Sequence, residues 1–331
     1  MINSHILAAP GAFVGVPRGG FDVCFFALGY ESRCTHLMAL KEASRVAVAL
    51  PFVTNADAQF EENRRLFASA GVSIADLHDE SDFASAFTST LARAFHGRRN
   101  RSLAIDISSL TRSRLAACVS VLHKLAAGSK SPVHARFYYS PAAFEAPPSQ
   151  APSVLVAEAV APRFKGRLRR SSIPLGAVIG LGYEPQRALG AFELLEPARA
   201  WAFKPISQDV RYSDALNLAN EQLIDSVGRN RVFPYPVGDP ASTFSAVESF
   251  VFSMMDEYRL VLIPMGPKIF ALVCLLVALV DSANAPAVWR VGERAYQSPL
   301  DAVSDGSLVY LDTQFDAKGV SVFPGGSSDL V

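Results

Sequence analysis

The sequence predicts two tandemly duplicated Rossmann-like halves, each a three-layer α/β unit with a mainly parallel sheet. Short aliphatic runs alternate with amphipathic stretches along the chain, and such β–α alternation implies parallel strands joined by right-handed crossovers. The aliphatic runs lack polar alternation, which is typical of strands covered on both faces. An internal repeat divides these elements into two halves.

The repeat is seen as matching blocks in the same order. FALGYESRCTHL around Gly29 recurs as IGLGYEPQRALG around Gly182, and RVAVALPF recurs as RAWAFKPI. Further along, Asn63 and Asn220 occupy matching positions at a slightly wider spacing. One insertion explains the change of spacing. We therefore infer a duplication and expect the halves to be related by a pseudo-twofold axis.

Both halves are predicted to run through five strands and four helices. The first half has predicted strands at 23–28, 45–49, 72–76, 103–106 and 133–139, and helices at 32–41, 55–70, 82–95 and 113–127. The second half has predicted strands at 177–181, 200–204, 232–236, 260–264 and 287–290, and helices at 186–195, 214–227, 242–257 and 268–280.

The predicted boundaries give a first half at 1–140 and a second half at 173–331. The connecting residues 141–172 are rich in Pro, Ala and Ser, and they include a predicted edge strand at 154–159. A basic stretch, 163–170, follows that strand. Two further strands, near 308–311 and 320–323, are predicted in the C-terminal tail and assigned to the second half.

Composition narrows the functional classes. The chain has 31 basic and 31 acidic residues, so no overall field draws it to nucleic acid or membrane. Its four cysteines show no metal-ligand spacing and are expected to be reduced and buried. No signal peptide is predicted, and the apolar run 269–280 is too short to cross a bilayer. We expect a cytoplasmic protein without metal or membrane, and direct nucleic-acid binding is not favoured.

Candidate ligand residues lie after strands one and four of each half, since open parallel sheets bind ligands outside the carboxyl ends of their strands. After strand one, a glycine permits a tight turn and a glutamate could accept a ribose hydroxyl or an amine; equally, the glutamate could stabilise a helix dipole. The residues singled out in these two loops are Gly29, Glu31, Arg33, Gly182, Glu184 and Arg187. A dinucleotide fingerprint and a P-loop are both missing from the sequence, and no cofactor is predicted.

The loops after strand four place cations where helices begin. A helix start already carries partial positive charge, so basic side chains there are better accommodated if an anion such as phosphate docks on its amides. Asp106 is expected mainly to orient its loop through backbone hydrogen bonds. The candidate ligand residues of these loops are Asp106, Ser109, Thr111, Arg112, Gly266 and Lys268, with Arg114 as a further misplaced cation.

The segment LAIDISSLTR resembles the strand-four motif of CARF domains, the CRISPR-associated Rossmann-fold sensors. Asp106, Ser108, Ser109, Thr111 and Arg112 carry this resemblance. The family's Gly-Gly is replaced by Ser109-Leu110, and the second copy has no Thr before Lys268. A tandem pair is also similar to the SAVED domain. The resemblance implies a cyclic oligonucleotide or other nucleotide bound between the halves, within an antiphage or CRISPR-like defence system.

The resulting functional hypothesis is a nucleotide-binding or nucleotide-sensing module. Because the two halves use nearly the whole chain, its output would pass to a protein partner or through a homo-oligomer. One alternative is an enzyme on the same scaffold, in which Glu31 or Glu184 assists phosphodiester or N-glycosidic cleavage. A second alternative is an interaction subunit whose sites are degenerate.

Overall fold

A computed structural model describes residues 20–52, 58–129, 131–147, 156–166, 172–207, 209–279, 284–292 and 301–329, with no side chains considered at 325–329. The chain separates into two compact units. One contains the described residues up to Ala143 together with those from Asp301 onward, and the other runs from Phe144 to Gly292.

The first unit has a seven-stranded sheet in the order β13-β12-β5-β4-β1-β2-β3. Strands β1 to β5 are parallel, whereas β12 and β13 are antiparallel additions at one edge. Its strands are β1 (Val23–Leu28), β2 (Ala47–Pro51), β3 (Ser73–Ile74), β4 (Arg101–Asp106), β5 (Val133–Tyr139), β12 (Ser307–Asp316) and β13 (Gly319–Asp329). Its α-helices are α1 (Ala58–Ser69), α2 (Asp82–Ala94) and α3 (Arg112–Ala127).

The second unit has a six-stranded sheet in the order β6-β11-β10-β7-β8-β9, with only β6 antiparallel. Its strands are β6 (Val156–Ala159), β7 (Leu175–Gly180), β8 (Arg199–Ile206), β9 (Val232–Pro236), β10 (Arg259–Pro264) and β11 (Ala287–Gly292). Its α-helices are α4 (Arg187–Leu195), α5 (Val210–Val227), α6 (Pro240–Met254) and α7 (Lys268–Val277). Helix α4 packs beside α5, and α6 beside α7.

The two parallel sheets share one topology. Numbered within each unit, the five parallel strands follow the order 3-2-1-4-5 in both, which is the Rossmann order 3-2-1-4-5-6 without its sixth strand. This agreement confirms the predicted fold class. The apolar run beginning at Ile269 is likewise confirmed as a buried helix, since every residue from Ile269 to Val277 is buried. All four cysteines are buried and outside any disulfide, as predicted.

The predicted domain boundary at the C-terminus differs from the structure. The tail forms β12 and β13 as expected, but β12 pairs with β5 and so extends the first sheet, not the second. Val309 lies opposite Tyr139, and Phe315 lies opposite Val133. Alternating burial along β12 fits a strand with one face on a core, and that pattern does not reveal which sheet the strand joins.

Candidate functional site

The candidate residues cluster at the carboxyl ends of the first and fourth parallel strands of each unit. β1 pairs directly with β4, and β7 pairs with β10. Helical connections leave these neighbouring strands in opposite directions, which makes this edge the topological switch point where α/β proteins bind ligands. The structure therefore brings the strand-one and strand-four loops together within each unit, as the sequence predicts.

Each strand-one loop is held by a hydrogen bond from a buried asparagine of the unit's own helix. Asn63 of α1 donates through Nδ2 to the Gly29 carbonyl at 2.9 Å, and Asn220 of α5 donates to the Gly182 carbonyl at 2.7 Å. Each asparagine is 1% exposed. The Oδ1 atom of Asn63 accepts from Gln59, whereas that of Asn220 is buried without a hydrogen-bond partner among the described residues. The duplicated asparagines therefore position the loops, a role that the sequence repeat did not reveal.

An acidic and a basic residue of each strand-one loop pair with one another. Arg33 Nε donates to Glu31 at 2.8 Å and its Nη1 donates to the Ser140 carbonyl, just beyond β5. Burial disfavours the charge on Arg33, but the Glu31 carboxylate outweighs it and raises the pKa of the guanidinium. Arg33, only 7% exposed, therefore braces the loop instead of facing a ligand.

In the second unit the corresponding arginine and glutamate also form an ion pair, and their side chains are more exposed. Arg187 Nη1 donates to Glu184 at 3.3 Å, and its Nη2 donates to the Val291 carbonyl of β11. The side chains of Arg187 and Glu184 are 26% and 33% exposed. Both residues thus stay accessible from solvent, unlike their counterparts in the first unit.

Asp106 and the serines that follow it hold the strand-four loop of the first unit. The Asp106 carboxylate accepts from the backbone N–H and hydroxyl of Ser108, which confirms its predicted loop-orienting role. Ser108 Oγ in turn accepts from the Ser140 N–H, and Ser109 donates to Glu31 at 2.9 Å. These residues are buried or nearly so, so the network joins the ends of β1, β4 and β5 into one rigid edge.

Glycines allow the two loops of the second unit to touch. A Cβ on Gly266 would lie 2.4 Å from the Leu181 carbonyl oxygen, and one on Gly182 would lie 2.4 Å from Glu184 Oε2 and 3.0 Å from the Met265 oxygen. All three distances are below ordinary contact distances. The Glu184 carboxylate therefore folds over Gly182, beside the loop that opens α7.

A segment from the C-terminal part of the chain covers the strand-one loop of the first unit. The Asp301 carboxylate accepts from both the N–H and the hydroxyl of Ser32 at 2.6 Å, and the Ala302 carbonyl accepts from the Arg33 N–H. Ser304 then meets Ser140 through their hydroxyls. The Ser32 N–H and hydroxyl, two hydrogen-bond donors of this loop, are thus already bound by a protein carboxylate. The predicted helix at 32–41 is instead two 3-10 segments, Ser32–Thr35 and Met38–Ala43.

Arg114 does not belong to an anion site. Its Nη2 donates to Glu80 at 2.6 Å, and it also donates to the carbonyls of Leu50 and Pro51. The guanidinium lies 3.9 Å from the Phe52 ring centroid, and only 2% of the side chain is exposed. The side chain therefore points back into the unit. Its position near a helix start is explained by the acidic, carbonyl and aromatic groups that surround it.

Side-chain caps are present at two helix starts of the second unit, those of α5 and α6, but not at those of α4 and α7. Asp209 caps α5 and Asp239 caps α6, each by accepting from a first-turn N–H. α7 instead follows Pro267, whose side chain has no acceptor, and its first residue is Lys268. In the first unit, Thr111 caps α3 through the Arg114 N–H. At this edge the starts of α4 and α7 both lack a side-chain cap, so both present first-turn amides to an external anion.

The remaining predictions concern the basic stretch, metal binding and membrane spanning. Of the basic stretch at 163–170, residues 167–170 fall outside the described part of the chain. Among the described residues, no cluster of His, Cys, Asp and Glu could hold a metal ion, and no described helix is long and apolar enough to span a membrane.

No family model matches the sequence, and no curated protein matches it either.

Proposed function

We propose that the protein is a nucleotide-binding module whose second unit takes the phosphate of the ligand at the start of α7. Phosphate oxygens would accept from the first amides of α7 and pair with Lys268. Glu184, beside Gly182, would accept a sugar hydroxyl or an amine. The sensing role and the link to antiphage defence rest on the CARF resemblance alone.

The capping pattern is the observation that supports this proposal most strongly. Two helices of the second unit begin with an aspartate that accepts a backbone N–H, and both lie away from the switch point. α7, which follows the central strand β10, begins at Lys268 directly after Gly266 and Pro267, without a side-chain cap. A bound anion would be favourable at this helix start, because it would accept from the first amides and pair with the lysine.

A buried acceptor next to the same loop adds support. Both Nδ2 hydrogens of Asn220 point at carbonyls, those of Gly182 and Leu216, so its amide orientation is fixed. The Oδ1 atom, without a partner in the described part of the chain, needs a donor because burying a lone acceptor is costly. In the first unit Gln59 supplies that donor; at the matching place in the second unit stands Leu216. A donor from a ligand, or from a water that the ligand orders, would satisfy this acceptor.

The first unit is less suited to the same ligand. Asp301 already places a carboxylate on Ser32, and Thr111 already caps α3. We therefore assign ligand binding mainly to the second unit, with Arg112 contributing less than Lys268. The earlier expectation of a ligand lying between the halves stays a prediction.

Isothermal titration with ATP and with inorganic triphosphate tests the proposal. Lys268→Ala should weaken both affinities by about tenfold or more, because a charged hydrogen bond is lost. Lys318→Ala, in the exposed turn between β12 and β13, is the matched control and should change neither. Equal affinities for wild type and Lys268→Ala would rule out the phosphate position, and no binding of either probe to the wild type would rule out this function for them.

A further inference from the structure

Three aromatic side chains form a cluster beside the strand-one loop of the second unit. Phe144 lies 5.1 Å from Tyr212 and 6.2 Å from Tyr183, and the two tyrosines lie 5.3 Å apart, all between ring centroids. We call these three residues the aromatic trio. All three are half-buried, so the trio retains surface that solvent can reach.

The trio is attached to the elements that form the candidate ligand site. Tyr183 follows Gly182 directly, and Tyr212 lies in the first turn of α5, the helix that fastens Gly182 through Asn220. The strand-one loop therefore runs along α5 from Asn220 toward Tyr212. Glu184 is the next residue after Tyr183, and it turns back over Gly182 toward Met265. One short loop thus separates an aromatic surface from the start of α7.

The charges around the trio favour a neutral ring over a phosphate. Arg211 lies 5.2 Å from the Phe144 ring centroid and is bound by Asp209 at 2.6 Å. Hydrogen bonding from Arg211 lowers the pKa of Asp209, so the carboxylate is charged at neutral pH and balances the arginine. A phosphate gains nothing beside this neutral pair.

Ring spacing decides how a ligand could use the trio. A planar ring inserted between two aromatic faces needs their centroids about 7 Å apart, twice the ordinary carbon–carbon contact distance. All three centroid distances are below this value, and two of the pairs meet edge to face. Insertion and cation cages are therefore excluded, and stacking on the outer surface of the trio is the arrangement left.

We propose that the aromatic trio is a stacking platform for the nucleobase of the ligand, with the phosphate at α7 and the sugar at Glu184 between them. This inference rests on the proposed function and adds the part of the ligand that provides its selectivity over simple phosphates. A purine or pyrimidine offers a flat, polarisable face to such a surface, and every base has one, so the platform recognises nucleotides as a class.

Paired titrations of ATP and inorganic triphosphate separate this inference from the proposed function. The wild type should bind ATP more tightly than triphosphate. Tyr212→Leu and Phe144→Leu should each weaken ATP binding roughly five- to hundredfold, the range for losing one stacking contact, and leave triphosphate binding unchanged. Tyr212→Phe keeps the ring and should keep ATP affinity, which also controls for folding.

The possible results of these titrations reject different parts of the proposal. Equal affinity of the wild type for ATP and triphosphate, or unchanged ATP affinity in both leucine variants, would overturn the platform while leaving the phosphate position standing. Equal losses for both probes in Tyr212→Leu would show that the ring only supports the fold and would also overturn it. If neither probe binds the wild type, the platform falls together with the proposed function.

Discussion

Replacing the two duplicated asparagines by alanine should lower stability in both units but impair ligand binding in only one. In Asn220→Ala the buried Gly182 carbonyl loses its donor, whereas the Leu216 carbonyl keeps its place in the α5 backbone. One buried acceptor left without a partner costs about 1–3 kcal/mol, and in Asn220→Ala part of this cost is offset because the buried Oδ1 atom is removed as well. Asn63→Ala removes donors from the carbonyls of Gly29 and Glu31, so its cost lies in the upper part of that range.

Calorimetry and titration together give the test. For units of this size each kcal/mol lowers the melting temperature by roughly 2–4 °C, so both variants should melt several degrees below the wild type. Asn220→Ala also releases the loop that carries Tyr183 and Glu184, and its ATP affinity should fall. Asn63→Ala, its matched control, should bind ATP normally below its melting temperature. Equal ATP affinities in the two variants would contradict the assignment of binding to the second unit.

Four further outcomes are expected. Gly266→Ala should weaken triphosphate binding, because its Cβ would meet the Leu181 oxygen at 2.4 Å and push apart the two loops; an unchanged titration would refute this. Arg114→Leu should destabilise the first unit by about 2–4 kcal/mol in urea unfolding, since two carbonyls lose their donor, while ligand affinity stays constant. Burial raises the pKa of the Cys34 thiol from 9.0 to about 12 and also raises those of Cys24 and Cys118, so Ellman's reagent should react at pH 8 only after unfolding. These thiols stay protonated in the folded state, so their contribution to the free energy of unfolding is complete below pH 9. Above pH 9 the free energy of unfolding falls by about 1.4 kcal/mol per pH unit for each thiol. Denaturant midpoints at pH 8, 9 and 10 would measure this fall.

Local patterns were sufficient to predict most of the fold. The bounds of β1, β5 and β9 agree with those expected, because short aliphatic runs between turn residues leave few alternatives. The membership of β12 in the first sheet was not predictable, since β12 pairs with a strand far away in the sequence. Its alternating pattern fixes one buried face but not the neighbouring strand.

The sequence was sufficient to predict where the candidate site lies, but not which contacts its side chains make. Parallel topology places Gly182 and Gly266 at one edge, and the structure brings their loops into contact. The contacts of Arg33 and Arg114 were not predictable, because a cation near a turn or helix start looks the same in sequence whether it faces solvent or carbonyls. Asp301 lies far along the chain from Ser32, so its contact with that loop gave no sequence signal.

A crystal structure grown with ATP present would test the central claim most directly. We expect phosphate density against the α7 amides near Gly266 and Lys268, with the base over Tyr183 and Tyr212. Density for the nucleotide at any other place, with protein atoms covering the beginning of that helix, would contradict it.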